Sequence, residues 1–226
     1  MELPILTVFV DANVIKLASE TDVLIPRQDT IEWGGKKLEI TAHDFGVRRE
    51  VDLLREGEQK REAMLLRKVA EEAAAGAIRL ITQSEVVDEL ATLPWARGAR
   101  IYDVPIEWID APVEYSRIIG RVVPSAPSER RNDWKESMVE FMLDLDFPRY
   151  KQLQLACGAN QGQTINEDQL IDAFHVWCAE GAGSTHFLTL DFALIKTVRQ
   201  HRRYPPRVKL VKPSELLYDL WSARSA

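Results

Sequence analysis

Only two cysteines, Cys157 and Cys178, occur in the 226 residues. They make no disulfide framework, and their spacing matches no metal-binding motif. No apolar run approaches the ~18 residues that would suggest a membrane span. The opening residues, with Glu2 leading into Asp11, lack the basic start and small-residue cleavage site of a secretory signal. The expected location is therefore the cytoplasm, with no membrane partner. A bulk excess of positive charge is missing too: the net charge of −6 argues against a protein that coats nucleic acid electrostatically. Acids, in turn, are missing between Phe192 and Pro213, where every charged residue is Lys or Arg. That strip either complements the dipole at a helix end or follows phosphates. Lys196, Arg199, Arg202 and Arg203 are its candidate nucleic-acid contacts. The six tryptophans are scattered and form no ladder on which bases could stack. Most are expected in the core, with Trp33, beside a hairpin turn, as the exception.

What is present is ordinary for a globular chain, 46% apolar and 28% charged. Leu6–Val10 is a short run, apolar but for Thr7, of the kind buried on both faces of a parallel sheet. "TIEWGGKKLEIT" places two alternating runs around Gly34-Gly35, a hairpin signal near residues 29–41. From Gly46 to Ala75 the pattern is helical, interrupted at Gly57. "AIRLIT" (77–82) reads as a second strand, "QSEVVDELATL" as a helix, and "ARIYDVPIEW" as a third strand. Residues 122–133 resemble a linker, followed by two helices. The last third alternates clearly: helix "EDQLIDAFHVWCAEGAG", strand "THFLTLD", helix "FALIKTVRQHRR", strand "RVKLVK", helix "PSELLYDLW". Alternation of this kind implies a parallel sheet with right-handed crossovers. The expectation is one domain over 1–226, three-layer α/β/α, carrying the hairpin and a mostly helical insertion near 105–160.

Functional groups in open parallel sheets gather beyond the carboxyl ends of the strands. Two apolar strands here end in acids, Asp11 and Asp191, and each acid could alternatively cap the helix that follows. Asp168 and Asp172 lie four apart on one helix face, as do Glu85 and Glu89. "TQSE" (82–85) fits a capping box with Thr82 at the N-cap. That gives Glu85 a structural task and leaves Glu89 as the preferred functional acid. If Asp11, Glu89, Asp172 and Asp191 converge, like charges about 4 Å apart repel by roughly 4 kcal/mol per pair at an effective dielectric near 20. Such a cluster holds protons or binds a cation. Oxygen donors without cysteine suit Mg²⁺ or Mn²⁺, and hydrolysis of phosphodiesters is the simplest chemistry for such a site.

These residues resemble the PIN domain, a nuclease family found in many bacterial toxins and RNA-processing enzymes. "VFVDANVI" is similar to the family's opening strand, and "TQSEVVDEL" to the helix bearing its Glu, aligned best with Glu89. "DAFHVWCAEGAGSTHFLTLD" resembles the segment holding its third and fourth acids, at Asp172 and Asp191. "KLVKPSELL" is like its last strand and helix. Together the matching segments cover about half the chain. The resemblance implies a four-acid Mg²⁺/Mn²⁺ site, with Asn13 and Thr189 supporting it by hydrogen bonds, and endoribonuclease action on RNA. In toxin members it also implies an antitoxin as protein partner.

The hairpin and the insertion depart from the family pattern and could serve a homodimer, substrate gating or another protein partner. Asp168 is an extra acid, either an additional ligand or a first-turn residue favoured by the helix dipole. His175, one turn after Asp172, either orients a carboxylate or phosphate or is a packed core histidine. A phosphatase using two aspartates after its first strand is disfavoured by Asn13 at the second position. A structure-specific DNA nuclease and a catalytically weak RNA- or protein-binding module remain as alternatives.

Overall fold

The computed structural model describes residues 5–83, 86, 100–110, 112, 130–160 and 164–225. β1 (Leu6–Val10) is apolar and β-branched because it is the centre of the main sheet. Its last three residues are buried, and it pairs in parallel with a strand on either side. The chain continues through α1 (Ala12–Leu17), then β2 (Glu20–Trp33) and β3 (Lys36–Arg49). A 3-10 turn at Glu50–Leu53 leads to α2 (Glu58–Met64), α3 (Leu66–Ala74) and β4 (Ile78–Gln83). Next come β5 (Arg100–Ile101), β6 (Val104–Pro105) and β7 (Glu107–Ile109), then α4 (Arg130–Leu143) and α5 (Pro148–Cys157). The end of the chain alternates as α6 (Glu167–Gly181), β8 (His186–Leu188), α7 (Phe192–Gln200), β9 (Lys209–Val211) and α8 (Pro213–Arg224).

The main sheet has the order β7-β4-β1-β8-β9, every neighbouring pair parallel. With helices flanking it, this is the arrangement of a three-layer α/β/α fold. The chain builds outward from β1 through β4 to β7, then returns to β8 on the other side of β1. Strand order therefore reverses between β1 and β8, and a crevice opens at the carboxyl ends of these two strands. Phe9 and Phe187 lie in register across that pair and stack with ring centroids 5.5 Å apart. On the helical side, Phe174 of α6 meets Phe141 of α4, Tyr150 of α5 and Trp177 of α6 at 6.0–6.3 Å, edge to face.

Several expectations need correction. The hairpin turn falls at Gly34-Gly35, with φ of 62° and 74°, the double positive φ of a type I′ turn. Its strands, however, extend to 20–49 rather than 29–41. The helix expected from Gly46 begins only at Glu58, after Gly57. Residues 46–49 pair across to Glu20–Val23 instead, and Glu50–Leu53 form a 3-10 turn. "ARIYDVPIEW" is broken by a turn at Tyr102 (φ 51°), and only β7 joins the main sheet. Within the segment read as an insertion near 105–160, β7 is thus a sheet strand, and α4 and α5 help build the core. α4 also starts inside the linker-like stretch, whose residues 122–129 lie outside the described ones. Among tryptophans with described side chains only Trp177 is buried; Trp33, Trp108 and Trp221 are exposed.

At the amino end of β8, His186 faces Asp219 of α8 at 3.2 Å, and Lys209 bonds the same carboxylate. Burial pushes the His186 imidazole below its ordinary 6.5, partly offset by Asp219. Burial alone would raise Asp219, but hydrogen bonds from Lys209 and His186 outweigh it and hold the carboxyl below its usual range. Both groups bind protons more readily in the unfolded chain, so each contributes stability above its unfolded pKa that is lost as the pH falls. Stability is expected to decline first as the pH drops past 6.5 and again in the carboxylate range. His186→Gln should flatten the first stage in denaturant titrations at stepped pH.

Candidate functional site

The carboxyl ends of β1 and β8 are tied together by a polar lattice. Asp11, 5% exposed, begins α1, and its Oδ1 accepts the Ala12 N–H at 2.8 Å. Its Oδ2 accepts both the Thr189 hydroxyl at 2.7 Å and Asn13 Nδ2 at 2.6 Å. Thr189 is fully buried, and its Oγ1 in turn accepts from Asn13 Nδ2 and from the Asp191 N–H, both at 3.0 Å. The Leu190 N–H donates to Asn13 Oδ1 at 3.0 Å. The Thr189 hydroxyl thus donates once and accepts twice, its full capacity. The family resemblance implies a supporting role for Asn13 and Thr189; here both donate to Oδ2 of Asp11.

Asp191 caps α7 by accepting the Leu194 N–H at Oδ1, 2.8 Å away. Its Oδ2 makes no hydrogen bond among the described residues. Both strand-ending acids therefore do cap helices, and both also face a common cavity. That cavity, about 210 Å³, is lined by Asp11, Asn13, Asp168, Asp172, His175 and Asp191, with Ala12 and Ile171. Asp172 is half-buried and His175 fully buried on α6. His175 Nδ1 stands 3.6 Å from Asp11 Oδ1, beyond hydrogen-bond reach, so their interaction is through space. Asp168 sits exposed in the first turn of α6 and pairs with Lys135 of α4 at 2.8 Å. Lys135, which also meets Glu167 at 3.4 Å, brings a cation to the rim of the cavity. No local pattern announces it, because 33 residues separate it from Asp168.

Comparison with protein-family models, with curated proteins and with solved structures returned no match. The chemistry of the site therefore rests on its own residues.

The donors are carboxylate oxygens, suited in kind to a hard dication. Thiolates play no part: both cysteines are buried, and burial, with the Asp172 carboxylate nearby, pushes the Cys157 thiol up. Among the described residues no group of three or more His, Cys, Asp or Glu is gathered tightly enough to cage an ion. Glu89 and Glu85 lie outside the described residues. Thr82 cannot open the capping box that would set Glu85 apart from Glu89, because β4 continues through Gln83. Thr82 is a buried strand residue whose hydroxyl donates to the Val10 carbonyl at 3.0 Å, not a helix N-cap.

Of the basic strip, Lys196, Arg202 and Arg203 are exposed, on or just after the helix that Asp191 begins. Arg199 is committed, bonding Glu215 at 2.6 Å and the Leu210 carbonyl at 3.1 Å.

Proposed function

We propose that this protein is a metal-dependent endoribonuclease of the PIN-like kind, working at the crevice between β1 and β8. The observation that carries this reading is the single cavity shared by Asp11, Asp172 and Asp191 at the point where strand order reverses. Asp11, Asp172 and Asp191, with Glu89, would hold Mg²⁺ or Mn²⁺. When bound, such an ion polarises a phosphodiester oxygen and acidifies a water for in-line attack.

The chain's own contribution is orientation. Asn13 and Thr189 fix one oxygen of Asp11 and leave it no freedom to swing. Asp191 spends one oxygen on the α7 cap and keeps the other for the cavity. His175 faces Asp11 from the α6 side and positions its carboxylate through space. Lys196, Arg202 and Arg203, following from Asp191, offer phosphate contacts to an RNA strand. A toxin with an antitoxin partner is one setting for such an enzyme, and a structure-specific DNA nuclease shares the same cavity.

A catalytically weak RNA-binding module is the second reading, favoured by the capping duties of Asp11 and Asp191 and the absence of a tight acid cage among the described residues. Incubation of purified protein with single-stranded RNA and single-stranded DNA separates these readings. RNA cleavage that requires Mg²⁺ or Mn²⁺ and stops with chelator supports the enzyme. RNA retained intact under all metal conditions supports the binding module.

A further inference from the structure

Two grooves follow one another along the outer edge of the main sheet, where β9 pairs only with β8 among the described residues. α7 contributes to one wall of both grooves and α8 to the other. The first groove, about 360 Å³, holds Phe192, Lys196 and Lys212, with Glu58 of α2. The second, about 800 Å³, is lined by Arg202, Lys209, Tyr218 and Asp219 among others. Arg199 and Glu215 line both, and their ion pair at 2.6 Å stands between them. Phe192 directly follows Asp191, which lines the carboxylate cavity, so the first groove begins one residue from the candidate site. At ~1.5 Å per residue, the nine residues of α7 extend this wall about 14 Å from that end.

Charge is sorted along the two grooves. Each acid that lines them is already held by a cation: Glu58 by Lys212 at 2.7 Å, Glu215 by Arg199, and Asp219 by Lys209. Two exposed cations have no such partner among the described residues, Lys196 in the first groove and Arg202 in the second. An approaching anion therefore meets neutral pairs and one spare cation in each groove.

Each groove also offers an aromatic ring. Phe192 is half-buried in the first, and Tyr218 is 70% exposed in the second. One ring and one spare cation, repeated in succession, is the arrangement that suits a single-stranded nucleic acid, whose bases stack on the rings while its phosphates follow the charge. A duplex keeps its bases stacked on one another and has none to give the rings.

Taking the carboxylate cavity as the site of cleavage, we propose that single-stranded RNA passes from it over the first turn of α7 and along the β9 edge. Lys196 and Arg202 each take a phosphate, and Phe192 and Tyr218 each take a base. Every base has a π face, so the track is indifferent to sequence. It sets how far the strand must extend beyond the cut.

A labelled single-stranded oligouridylate, titrated with the full chain in chelator so that nothing is cut, reads the track by fluorescence anisotropy. The slope of log affinity against log salt should become shallower by about 0.7 with Lys196→Ala or Arg202→Ala, and by about 1.4 with both. Tyr218→Ala should weaken binding at least about fivefold without changing the slope. It should leave binding of the duplex with oligoadenylate as it was. All three positions are exposed, so the variants should melt with the wild type. No binding of the oligouridylate, an unchanged slope in the double variant, or an equal loss on strand and duplex in Tyr218→Ala overturns the track, whether or not the wild type cuts RNA. Slopes altered as expected in a protein that cuts nothing with Mg²⁺ or Mn²⁺ overturn the nuclease reading and support the track as a binding path.

Discussion

Asp191→Asn is expected to lower Mg²⁺-dependent RNA cleavage by on the order of 10³-fold, about 4 kcal/mol of transition-state stabilisation, while leaving the fold intact. The separation is possible because the two oxygens of Asp191 have different duties. Oδ1 accepts the Leu194 N–H, a task an Asn side-chain oxygen performs equally well at an N-cap. Oδ2 has no hydrogen-bond partner among the described residues, so an amide nitrogen in its place meets no donor there. Asp11→Asn is a less clean test. Donors approach both Asp11 oxygens, from Ala12 on one and from Thr189 and Asn13 on the other. An amide nitrogen must oppose one of these sets, adding about 1–3 kcal/mol of destabilisation. Asp11→Asn should therefore lose activity and melt earlier, and Asp191→Asn should lose activity alone. Parallel RNA-cleavage and thermal-melting measurements check the pair; full activity in Asp191→Asn would remove that residue from the chemistry.

Phe174→Ala is expected to destabilise the protein by about 3–5 kcal/mol, the largest stability effect anticipated for a single side chain. Phe174 is fully buried and is the hub at which Phe141, Tyr150 and Trp177 meet edge to face. These contacts fasten α4 and α5 to α6, the helix that presents Asp172 and His175 to the cavity. Truncation leaves a void that three aromatic neighbours on separate backbones cannot close. Urea denaturation reads the loss as a lowered midpoint, and a change below 1 kcal/mol would show that the cluster repacks freely.

The elements that sequence placed well are those whose local pattern and tertiary role agree. β1 is apolar but for Thr7, as suits a central strand, and "EDQLIDAFHVWCAEGAG" is helical with an Asn166 cap ahead of it. The Gly34-Gly35 turn was legible because two consecutive residues at positive φ all but require glycine. The length of the hairpin was not legible. The helical pattern of the following segment reads back as far as Gly46, and only cross-strand pairing assigns residues 46–49 to β3. Thr82 misled for a related reason: a threonine followed by Glu three residues later looks like a cap, but the strand simply runs on. At the site, Asp11 and Asp191 could be read from sequence because each lies just beyond an apolar strand, whereas Asn13 and Thr189 stood out only through the resemblance to the PIN family. Lys135 could not, since its proximity to Asp168 exists only once α4 packs beside α6.

The central proposal, that Asp11, Asp172 and Asp191 together with Glu89 take up a hard divalent ion, is tested most directly by calorimetric titration of Mn²⁺ into the wild-type chain and Asp191→Asn. The account predicts one saturable site in the wild type and binding at least about tenfold weaker in the variant. Equal Mn²⁺ affinity in the two proteins, or no saturable binding to the wild type, would contradict it.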